Sequence, residues 1–235
     1  MSKTSSYYAA GPERGEKVRQ LFDHIARRYD LINDIQSFGL HRHWKRELVR
    51  MAKVQRGERA LDLCTGTGDL AIRLKSEGAE VIGSDFSAGM LAQAKKRAPE
   101  LEWVEADALH LPFATATFDL VTIGYGLRNL PDFEAGIREM GRILKPGGRL
   151  LILEFGKPSN KLWRKVYFNY LKLFIPLLGL FLCGNRKAYA YILESLNHYP
   201  EQREMEKLLV EQNFADVHTR NFMGGVMAIQ TGRKR

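Results

Sequence analysis

Residues 61–69, LDLCTGTGD, decide the fold of this 235-residue chain. An apolar strand leads into a turn with glycines at positions 66 and 68, and an amphipathic stretch typical of a helix follows. Glycine lets the backbone approach a ligand closely and adopt conformations that a Cβ atom would block. Because the amide groups at the start of the helix point to the same place, the segment predicts a nucleotide-type cofactor site.

The sequence around this turn alternates between strand and helix patterns, as expected of an α/β domain. Strands are predicted at 59–64, 80–84, 101–105, 118–124, 149–155, 214–222 and 225–231. Helices are predicted at 68–77, 87–97, 132–143, 186–197 and 201–212, and turns at 145–148 and 224–225. The expected fold is a Rossmann-like α/β sheet, mostly parallel with an antiparallel C-terminal edge strand.

The segment before the first strand is predicted to be a helical lid over residues 13–56, after a flexible leader at 1–12. Apolar side chains recur every three or four residues from Val18 to Tyr29 and again after His41, so each stretch predicts an amphipathic helix. The stretch between them, YDLINDIQSFGLH, is interpreted as a structured loop because Asn, Asp, Ser and Gly punctuate it. The other expected units are a cofactor-binding core at 57–158, a helical substrate- or lipid-facing cap at 159–200, and a closing helix and strands at 201–235.

The longest uncharged run of the cap segment has about 12 residues, from Leu173 to Gly184. A membrane-spanning helix needs about 20 residues, so this run is too short to cross a bilayer. Pro176 is expected to break a helix within it. A buried helix and a lipid-facing surface are both open interpretations.

The net charge of +9 is compatible with a nucleic-acid, anionic-membrane or acidic-substrate partner, and equally with no charged partner at all. The basic residues are scattered, so no segment resembles a nucleic-acid arm. The two cysteines, Cys64 and Cys183, lack the spacing of metal ligands, and no metal site is expected. An apolar signal stretch is absent from the N-terminus, which predicts a cytoplasmic location.

Acidic residues around the glycine turn favour a cationic cofactor over a dinucleotide. The letters GTGDLA also match the dinucleotide fingerprint, but that match alone is weak. Asp62 in the strand and Asp69 at the helix start would repel a pyrophosphate and tolerate a sulfonium. Asp85, at the end of the second strand, can accept hydrogen bonds from both ribose hydroxyls. The predicted cofactor is S-adenosylmethionine, bound by Asp62, Gly66, Thr67, Gly68, Asp85, Phe86, Met90, Asp107 and Ala108.

Several segments together resemble one family in order and spacing: YDLINDIQSFGLHRHWKREL, LDLCTGTGDLA, GYGLRNLPD, LKPGGRLLILEFGKP and ESLNHYP. Residues 60–158 resemble the class I S-adenosylmethionine-dependent methyltransferase fold, and 17–232 are similar to the quinone-pathway methyltransferases. The resemblance implies C-methylation of a prenylated quinol, either demethylmenaquinol or 2-methoxy-6-polyprenyl-1,4-benzoquinol. It assigns cofactor contacts to Thr67, Asp85, Asp107 and Ala108.

Two positions depart from part of that family. Some ubiquinone-type members have a serine where this chain has Gly124. This glycine resembles the menaquinone branch, so demethylmenaquinol in menaquinone biosynthesis is the expected substrate. Many members have an Ala-Leu-His triplet where this chain has Ala228, Ile229 and Gln230, so no role of that histidine carries over.

The expected chemistry requires a quinol hydroxyl to lose its proton, because the resulting charge delocalises onto the ortho carbon and makes it nucleophilic. Arg128 and Asn129, on the loop after the fourth strand, and Asp30 in the lid are the candidate catalytic residues. A surface ion pair for Arg128 and a turn cap for Asp30 are the simpler alternatives. Candidate substrate contacts are Tyr29, Asn33, His41, Glu194, His198 and Tyr199.

Three other functions fit parts of the sequence. A methyltransferase for another aromatic compound or a sterol would share the cofactor half and differ at 160–200. A nucleic-acid methylase would use the basic charge, but GYGL stands where amino-group methylases have Asn/Asp-Pro-Pro-Tyr/Phe. A non-catalytic cofactor binder would keep the same glycine turn.

Basic residues flank the apolar part of the cap and favour anionic headgroups: Lys161, Arg164, Lys165, Arg186 and Lys187. They predict peripheral association with the inner face of the cell membrane. The expected partners are therefore the prenylated quinol and an anionic membrane surface, without nucleic acid, and with the oligomeric state open.

Overall fold

The computed structural model describes residues 13–183 and 193–235, with side chains from 15 to 176 and from 193 onwards. At its centre is a seven-stranded sheet in the order β3-β2-β1-β4-β5-β7-β6. The strands are β1 (Arg59–Leu63), β2 (Glu80–Asp85), β3 (Glu102–Glu105), β4 (Phe118–Gly124), β5 (Leu144–Phe155), β6 (Phe214–Phe222) and β7 (Met227–Lys234). Strands β1 to β5 pair in parallel, whereas β7 is antiparallel to β5 and β6. The predicted mostly parallel sheet with an antiparallel C-terminal edge is confirmed.

Helices cover the sheet and the edge where its parallel strands end. They are α1 (Glu13–Ile25), α2 (Tyr29–Ser37), α3 (Leu40–Ala52), α4 (Asp69–Ser76), α5 (Ala88–Arg97), α6 (Phe133–Ile143), α7 (Lys161–Cys183) and α8 (Gln202–Glu211). Residues 193–198 are also helical. The chain passes from β1 outward to β2 and β3 and then returns to β4 on the other side of β1. Such a reversal opens a crevice at the carboxyl ends of the two central strands, where α/β sheets receive ligands.

Most predicted core elements end within two residues of the observed ones, and β4 and β6 have the predicted bounds. Strand β5 instead begins at Leu144, before the predicted turn at 145–148. The turn residues form an irregularity inside the strand, where pairing with β4 shifts between Phe118 and Leu120. Of the helix predicted at 186–197, residues 186–192 lie outside the described residues, and 193–198 are helical.

The loop predicted between the first two helices is wrong, because Tyr29–Ser37 forms α2. Its Asn and Asp residues do not interrupt the helix, since Ile32 and Asn33 turn one face inward and are buried. The helix ends where Phe38 and Gly39 adopt left-handed φ angles of 51° and 74°. Helix α3 begins directly after this turn, so the turn fixes the angle between the two lid helices.

Helix α7 continues through Pro176, so the predicted break is also wrong. Proline removes one helical hydrogen bond and costs roughly 3 kcal/mol in a helix interior. Burial of Leu171 and Ile175 against the lid offsets part of this cost, at about 1.5–3 kcal/mol for each side chain. None of the helices in the described residues has the length and apolar character needed to cross a membrane.

Three apolar clusters form the interior. Leu150 and Ile152 of β5 enter the cluster on one face of the sheet, and Leu151 and Leu153 enter the cluster on the other. This alternation follows from the two-residue period of a strand that is covered on both faces. The third cluster joins the lid helices α1 and α2 to α7, and it lies over the ligand-binding edge of the sheet.

We predict that Gly39→Ala destabilises the protein by about 1 kcal/mol, because alanine is strained at a left-handed φ. A Cβ atom at position 39 would meet nothing within 4 Å, so the effect isolates backbone conformation from packing. Urea unfolding measures the change in the free energy of unfolding. The control is Gly15→Ala in α1, where the nearest atom would be 3.9 Å from the new Cβ and helix propensity favours alanine. An unchanged or raised stability in Gly39→Ala would contradict the strain.

Candidate active site

Two adjoining cavities open at the carboxyl ends of β1, β2 and β4. The first, here the polar cavity, has a volume of about 360 Å³, within the size range of small-molecule sites. Its walls include Gly66 of the glycine turn, Asp85 at the end of β2, and Asp107 and Ala108 after β3. The second, here the apolar cavity, measures about 300 Å³ and lies between the lid helices and α7.

Asp62 of β1 supports the glycine turn from the sheet side. Its buried carboxylate accepts hydrogen bonds from the hydroxyls of Thr65 at 2.6 Å and Thr122 at 2.7 Å. Burial raises the pKa of Asp62 to about 6. At Gly68, which has a φ of 87°, a Cβ atom would lie 2.5 Å from the Trp103 ring, so the turn requires glycine there.

Asp85 holds the same turn from the cavity side. One carboxylate oxygen accepts the backbone N–H of Gly66 at 2.8 Å, and the other accepts that of Ser87 at 3.0 Å. Burial raises the pKa of Asp85 to about 6, although these amide hydrogen bonds favour the ionised form. Each oxygen keeps further acceptor capacity for a ligand hydroxyl.

Six of the predicted cofactor residues line the polar cavity: Gly66, Asp85, Phe86, Met90, Asp107 and Ala108. Asp62, in β1, and Thr67 and Gly68, in the glycine turn itself, lie outside that lining. Ser84, which is not among the predicted residues, also lines the cavity, and its position beside Asp85 at the end of β2 is the signal in the sequence that could have indicated it. The buried Ser84 hydroxyl has no hydrogen-bond partner among the described residues.

The residues present fit S-adenosylmethionine. Asp85 offers acceptors for a ribose diol, and Asp107, whose carboxylate accepts the amide of Leu109 at 2.9 Å, offers acceptors further along the cavity. The unpartnered Ser84 hydroxyl provides one more polar contact. Arg19 in the same wall pairs with Glu16, so within the described residues the carboxylates of Asp85 and Asp107 have no ion pair with a lysine or arginine and suit a ligand that carries a positive charge.

Polar contacts tie the lid to the glycine turn. Asp30 of α2 accepts a hydrogen bond from the Thr67 hydroxyl at 2.7 Å and forms an ion pair with Arg97 at 3.3 Å. Asp69 pairs with Arg97 and, at 2.8 Å, with Lys45 of α3. Burial alone would raise the pKa of Asp69, but Lys45 and Arg97 hold it below its usual range. The structure therefore brings Asp30 to the lid contact and places it outside the lining of both cavities.

Three aromatic side chains line both cavities: Phe22, Tyr29 and Tyr125. They form the partition between the polar and the apolar cavity. Tyr125 has a φ of 61°, a strained conformation for a residue other than glycine, and its amide donates to Leu153 at 2.8 Å. The polar and the apolar cavity therefore adjoin at these three side chains.

Arg128 lies in the wall of the apolar cavity and is buried, with 7% of its surface exposed. Its Nη1 donates to Glu154 at 2.8 Å and to the carbonyl oxygen of Tyr125 at 2.7 Å, and its guanidinium lies 4.8 Å from the Phe155 ring centre. Burial raises the pKa of Glu154, and Arg128 opposes that rise. Asn129 donates to the same carbonyl of Tyr125 at 3.1 Å and lines the polar cavity.

The predicted substrate residues fall into two groups. Tyr29, Asn33 and His41 line the apolar cavity together with Arg128. Tyr199 is buried in a core cluster, and the exposed His198 has its Nδ1 2.9 Å from the carbonyl oxygen of Glu194. These last three, Glu194, His198 and Tyr199, lie outside the lining of both cavities.

Polar atoms without partners distinguish the apolar cavity from an ordinary core. Gln36 Oε1, His41 Nδ1 and the hydroxyls of Tyr125 and Tyr167 are buried and make no hydrogen bond within the described residues. All four residues line this cavity. Leaving a buried polar group unpaired costs about 1–3 kcal/mol, so the cavity suits a largely apolar ligand that carries hydroxyl groups. The sequence offered little signal for Gln36, Tyr125 and Tyr167, because their convergence depends on the packing of α2, β4 and α7.

Residues 12–234 match the model of the ubiE/COQ5 methyltransferase family. The chain is 41% identical to the ubiquinone/menaquinone biosynthesis C-methyltransferase UbiE of Pseudomonas fluorescens, over 94% of this chain and 90% of that protein. It is 42% identical to the demethylmenaquinone methyltransferase of Beutenbergia cavernae, over 92% of this chain and 90% of that protein.

Solved structures share the fold at low sequence identity. An S-adenosylmethionine-dependent methyltransferase of Thermotoga maritima, a possible histamine N-methyltransferase, superposes with a TM-score of 0.68 at 18% identity, over 92% of this chain and 99% of that one. Phosphoethanolamine N-methyltransferase 2 of Haemonchus contortus, in complex with S-adenosyl-L-methionine, gives a TM-score of 0.61 at 18% identity, over 81% of this chain and 52% of that one.

We predict that binding of S-adenosylmethionine weakens as the pH falls through about 6, because ribose hydroxyls donate to the ionised form of Asp85. Asp85→Asn should lower the affinity by about 10- to 100-fold and remove this pH dependence. Isothermal titration calorimetry over a pH series measures both effects. Asp107→Asn, at an exposed carboxylate of the same cavity, is the matched control and should keep the acid-side loss. If Asp85→Asn loses affinity on the acid side to the same extent as wild-type protein, the titrating group is not Asp85.

Proposed function

Because the chain belongs to the ubiE/COQ5 methyltransferase family, we propose that it C-methylates demethylmenaquinol in menaquinone biosynthesis. It is a methyltransferase of quinone biosynthesis, and its methyl donor is S-adenosylmethionine. The observation that carries the finer proposal is the meeting of two cavities at Phe22, Tyr29 and Tyr125. One cavity has carboxylates in its wall. The other is mainly apolar, and its wall contains the buried guanidinium of Arg128 and unpartnered polar atoms suited to binding a hydroxyl group.

In this proposal the polar cavity holds the donor. Asp85 binds the ribose, Asp107 and Ala108 bind the adenine, and the backbone at Gly66 approaches the ligand closely. When bound, S-adenosylmethionine supplies an electrophilic methyl group on a sulfonium. The lid helices then exclude water from the reacting atoms, since Asp30 and Lys45 tie them to the glycine turn.

The apolar cavity holds the quinol ring. Arg128 stabilises the negative charge that develops on the quinol oxygen, and Glu154 fixes the direction of its guanidinium. Asn129 supports the same loop through the carbonyl oxygen of Tyr125. Tyr29 and Asn33 contact the ring from the lid side. The reaction requires the ring carbon, the methyl group and the sulfur to lie in line where the two cavities adjoin.

The naphthoquinol is favoured over the benzoquinol by two features. Gly124 lines the polar cavity without a side-chain hydroxyl, as in the menaquinone branch. The apolar cavity is also rich in aromatic side chains, including Trp44, Phe155 and Tyr170, which suit the larger face of a fused ring. 2-Methoxy-6-polyprenyl-1,4-benzoquinol is the alternative acceptor.

The mouth of the apolar cavity carries an exposed apolar surface, here the apolar collar, formed by Phe38, Trp163, Val166 and Met223. Phe38 is 76% exposed, an unusual position for so large an apolar side chain. Neighbouring α7 presents three exposed lysines, Lys161, Lys165 and Lys172. The sequence of this helix contains no aspartate or glutamate. We propose that the collar rests on an anionic membrane on the cytoplasmic side, so that the prenyl tail stays in lipid while the ring enters the cavity.

We predict that labelled S-adenosylmethionine transfers its methyl group to demethylmenaquinol in preference to the benzoquinol. Liquid chromatography of the extracted quinones with scintillation counting measures both products. If the benzoquinol is methylated in preference, the proposed acceptor is the benzoquinol and not demethylmenaquinol. Label in neither quinol would reject the proposed function.

We also predict that the double variant Arg128→Met/Glu154→Gln lowers kcat by about 10²- to 10³-fold, because the cation that faces the quinol oxygen is removed. Replacing both partners avoids a buried unpaired charge, which a single substitution would leave at a cost of about 3–5 kcal/mol. The matched control is Arg50→Met/Glu47→Gln, which removes the ion pairs that Glu47 of α3 forms with Arg50 and Arg220, away from both cavities. Equal turnover in the two double variants would exclude the role of Arg128.

A further prediction concerns the membrane. The protein should float with anionic vesicles at low salt, and Phe38→Asp should weaken that association by about tenfold, because it removes a large apolar group from the collar. Aspartate tolerates the left-handed φ of 51° at this position, so the fold is retained. The control is Val210→Asp, at an exposed apolar residue of α8 outside the collar. Wild-type protein that stays at the bottom of the gradient would contradict peripheral association.

A further inference from the structure

The wall of the apolar cavity contains few groups that can take a proton at neutral pH. Burial raises the pKa of each tyrosine in this wall: Tyr29, Tyr125, Tyr167 and Tyr170. Arg128 stays protonated under all conditions that the fold survives. Asp30 lies outside this wall, where Thr67 and Arg97 bind its carboxylate. Among the described cavity-lining residues, this leaves His41 as the titratable side chain that can act as a base.

His41 has a fixed orientation at the start of α3. The residue is 3% exposed, and its Nε2 lies 2.8 Å from Asp34 Oδ1. Arg42 donates two hydrogen bonds to the same carboxylate, each 2.7 Å long. The backbone N–H of His41 donates to the Ser37 hydroxyl at 3.2 Å. These contacts bridge α2 and α3 and leave the ring no freedom to turn.

The partners of the ring define its tautomer. Hydrogen bonds from Arg42 and His41 hold the pKa of Asp34 well below its usual range, so its carboxylate is ionised and only accepts. Nε2 of His41 therefore carries the hydrogen, and Nδ1 keeps its lone pair. Nδ1 is buried and has no hydrogen-bond partner in residues 13–183 and 193–235. Because His41 lines the apolar cavity, a ligand hydroxyl that enters there is a candidate for the missing donor.

We propose that His41 Nδ1 accepts the proton of the quinol hydroxyl, with Asp34 and Arg42 as positioning residues that hold the imidazole. The proposal rests on the proposed function, because it names the base of that same site. An ionised carboxylate on the far nitrogen orients the ring and stabilises the imidazolium that forms, as in base–carboxylate pairs of hydrolases. Arg128, which lines the same cavity, stabilises the oxygen from which the proton leaves.

The proton step balances within the site. The quinol O–H bond breaks, the Nδ1–H bond forms, and the electron pair stays on oxygen, from which it delocalises to the ortho carbon. After the ring carbon has gained the methyl group, its own hydrogen leaves as a proton when the lid opens to solvent, and the ring becomes aromatic again. The imidazolium then returns its proton to the oxygen, so His41 is neutral for the next turnover and one proton is released overall.

Charged groups on three helices set the pH range of this step. Burial lowers the pKa of His41, and the hydrogen bond to Asp34 on α2 opposes that effect. Lys45, one turn further along α3, lowers the pKa as well, whereas Asp69 on α4, which pairs with Lys45, raises it. The net direction is downward, so the imidazole is neutral and able to accept a proton at neutral pH. Turnover should therefore fall on the acid side as His41 becomes protonated.

The test compares His41→Gln with wild-type protein in single-turnover methylation of the quinol over a pH series. Glutamine can keep a hydrogen bond to Asp34 but provides no basic nitrogen at the position of Nδ1. We expect the rate constant to fall by about 10²- to 10⁴-fold and the acid limb of the pH profile to disappear. The affinity for S-adenosylmethionine should not change, because His41 does not line the polar cavity. His43→Gln, at an exposed histidine two residues along α3, is the matched control and should match wild type.

A second measurement does not depend on turnover or on a folded His41 variant. Nitrogen-15 NMR of wild-type protein at neutral pH should show His41 with hydrogen on Nε2 and a bare Nδ1. In Asp34→Asn, the titration of His41 and the acid limb of the rate should both move to lower pH, because Asp34 raises the pKa of the imidazole. A merely structural histidine would leave the acid limb in place.

The outcomes separate this proposal from the proposed function. If wild-type protein methylates neither quinol, the proposed function fails, while the NMR spectrum still decides the state of His41. If wild-type protein is active and His41→Gln keeps its acid limb with a rate within about tenfold, His41 is not the base. Hydrogen on Nδ1 in the free protein would also overturn the proposal.

Discussion

Two buried carboxylates hold the glycine turn, and the rest of the ligand-binding edge depends on that turn. Asp62 binds it from the sheet side and Asp85 from the cavity side. Burial disfavours the charge on both groups, and the hydrogen bonds from Thr65, Thr122 and backbone amides offset this cost. Because the turn begins α4 and faces the lid, its shape determines where the polar cavity opens and where the lid rests.

The lid is held by two different kinds of force. Ion pairs and hydrogen bonds tie α2 and α3 to the glycine turn, and apolar side chains join α1 and α2 to α7. The polar contacts have directional geometry, whereas the apolar contacts tolerate small shifts of the helices. Tyr29 packs against the apolar cluster, and the next residue, Asp30, binds the glycine turn. The side chain of Tyr29 also lines both cavities. A movement of the lid would therefore change both cavities together.

The sheet and the cavity edge could be predicted because their signals are local. Asp85 and Gly66 follow from a strand, a turn and a helix that are adjacent in sequence. Helix α2 was missed because its Asn and Asp residues resemble loop punctuation, and only burial of one face shows the helix. The partners of the long polar side chains were beyond prediction, since 26 residues separate Arg128 from Glu154 and 37 separate Asp30 from Thr67. Such pairs depend on how whole elements pack, and the same holds for Glu194 and His198, which packing keeps away from the cavities.

The apolar collar has a kinetic consequence for the proposed reaction. A quinol with a long prenyl tail has almost no free concentration in water, so encounter takes place within a two-dimensional film of lipid. The quantity that saturates the apolar cavity is then the mole fraction of quinol in that film. Adding inert lipid at a constant amount of quinol would slow the reaction, whereas diluting the whole suspension would leave the rate per bound protein unchanged. If the collar rests on a membrane as proposed, the exposed Phe38 and its neighbours make the concentration of substrate in the lipid, and not in water, the quantity that governs the rate.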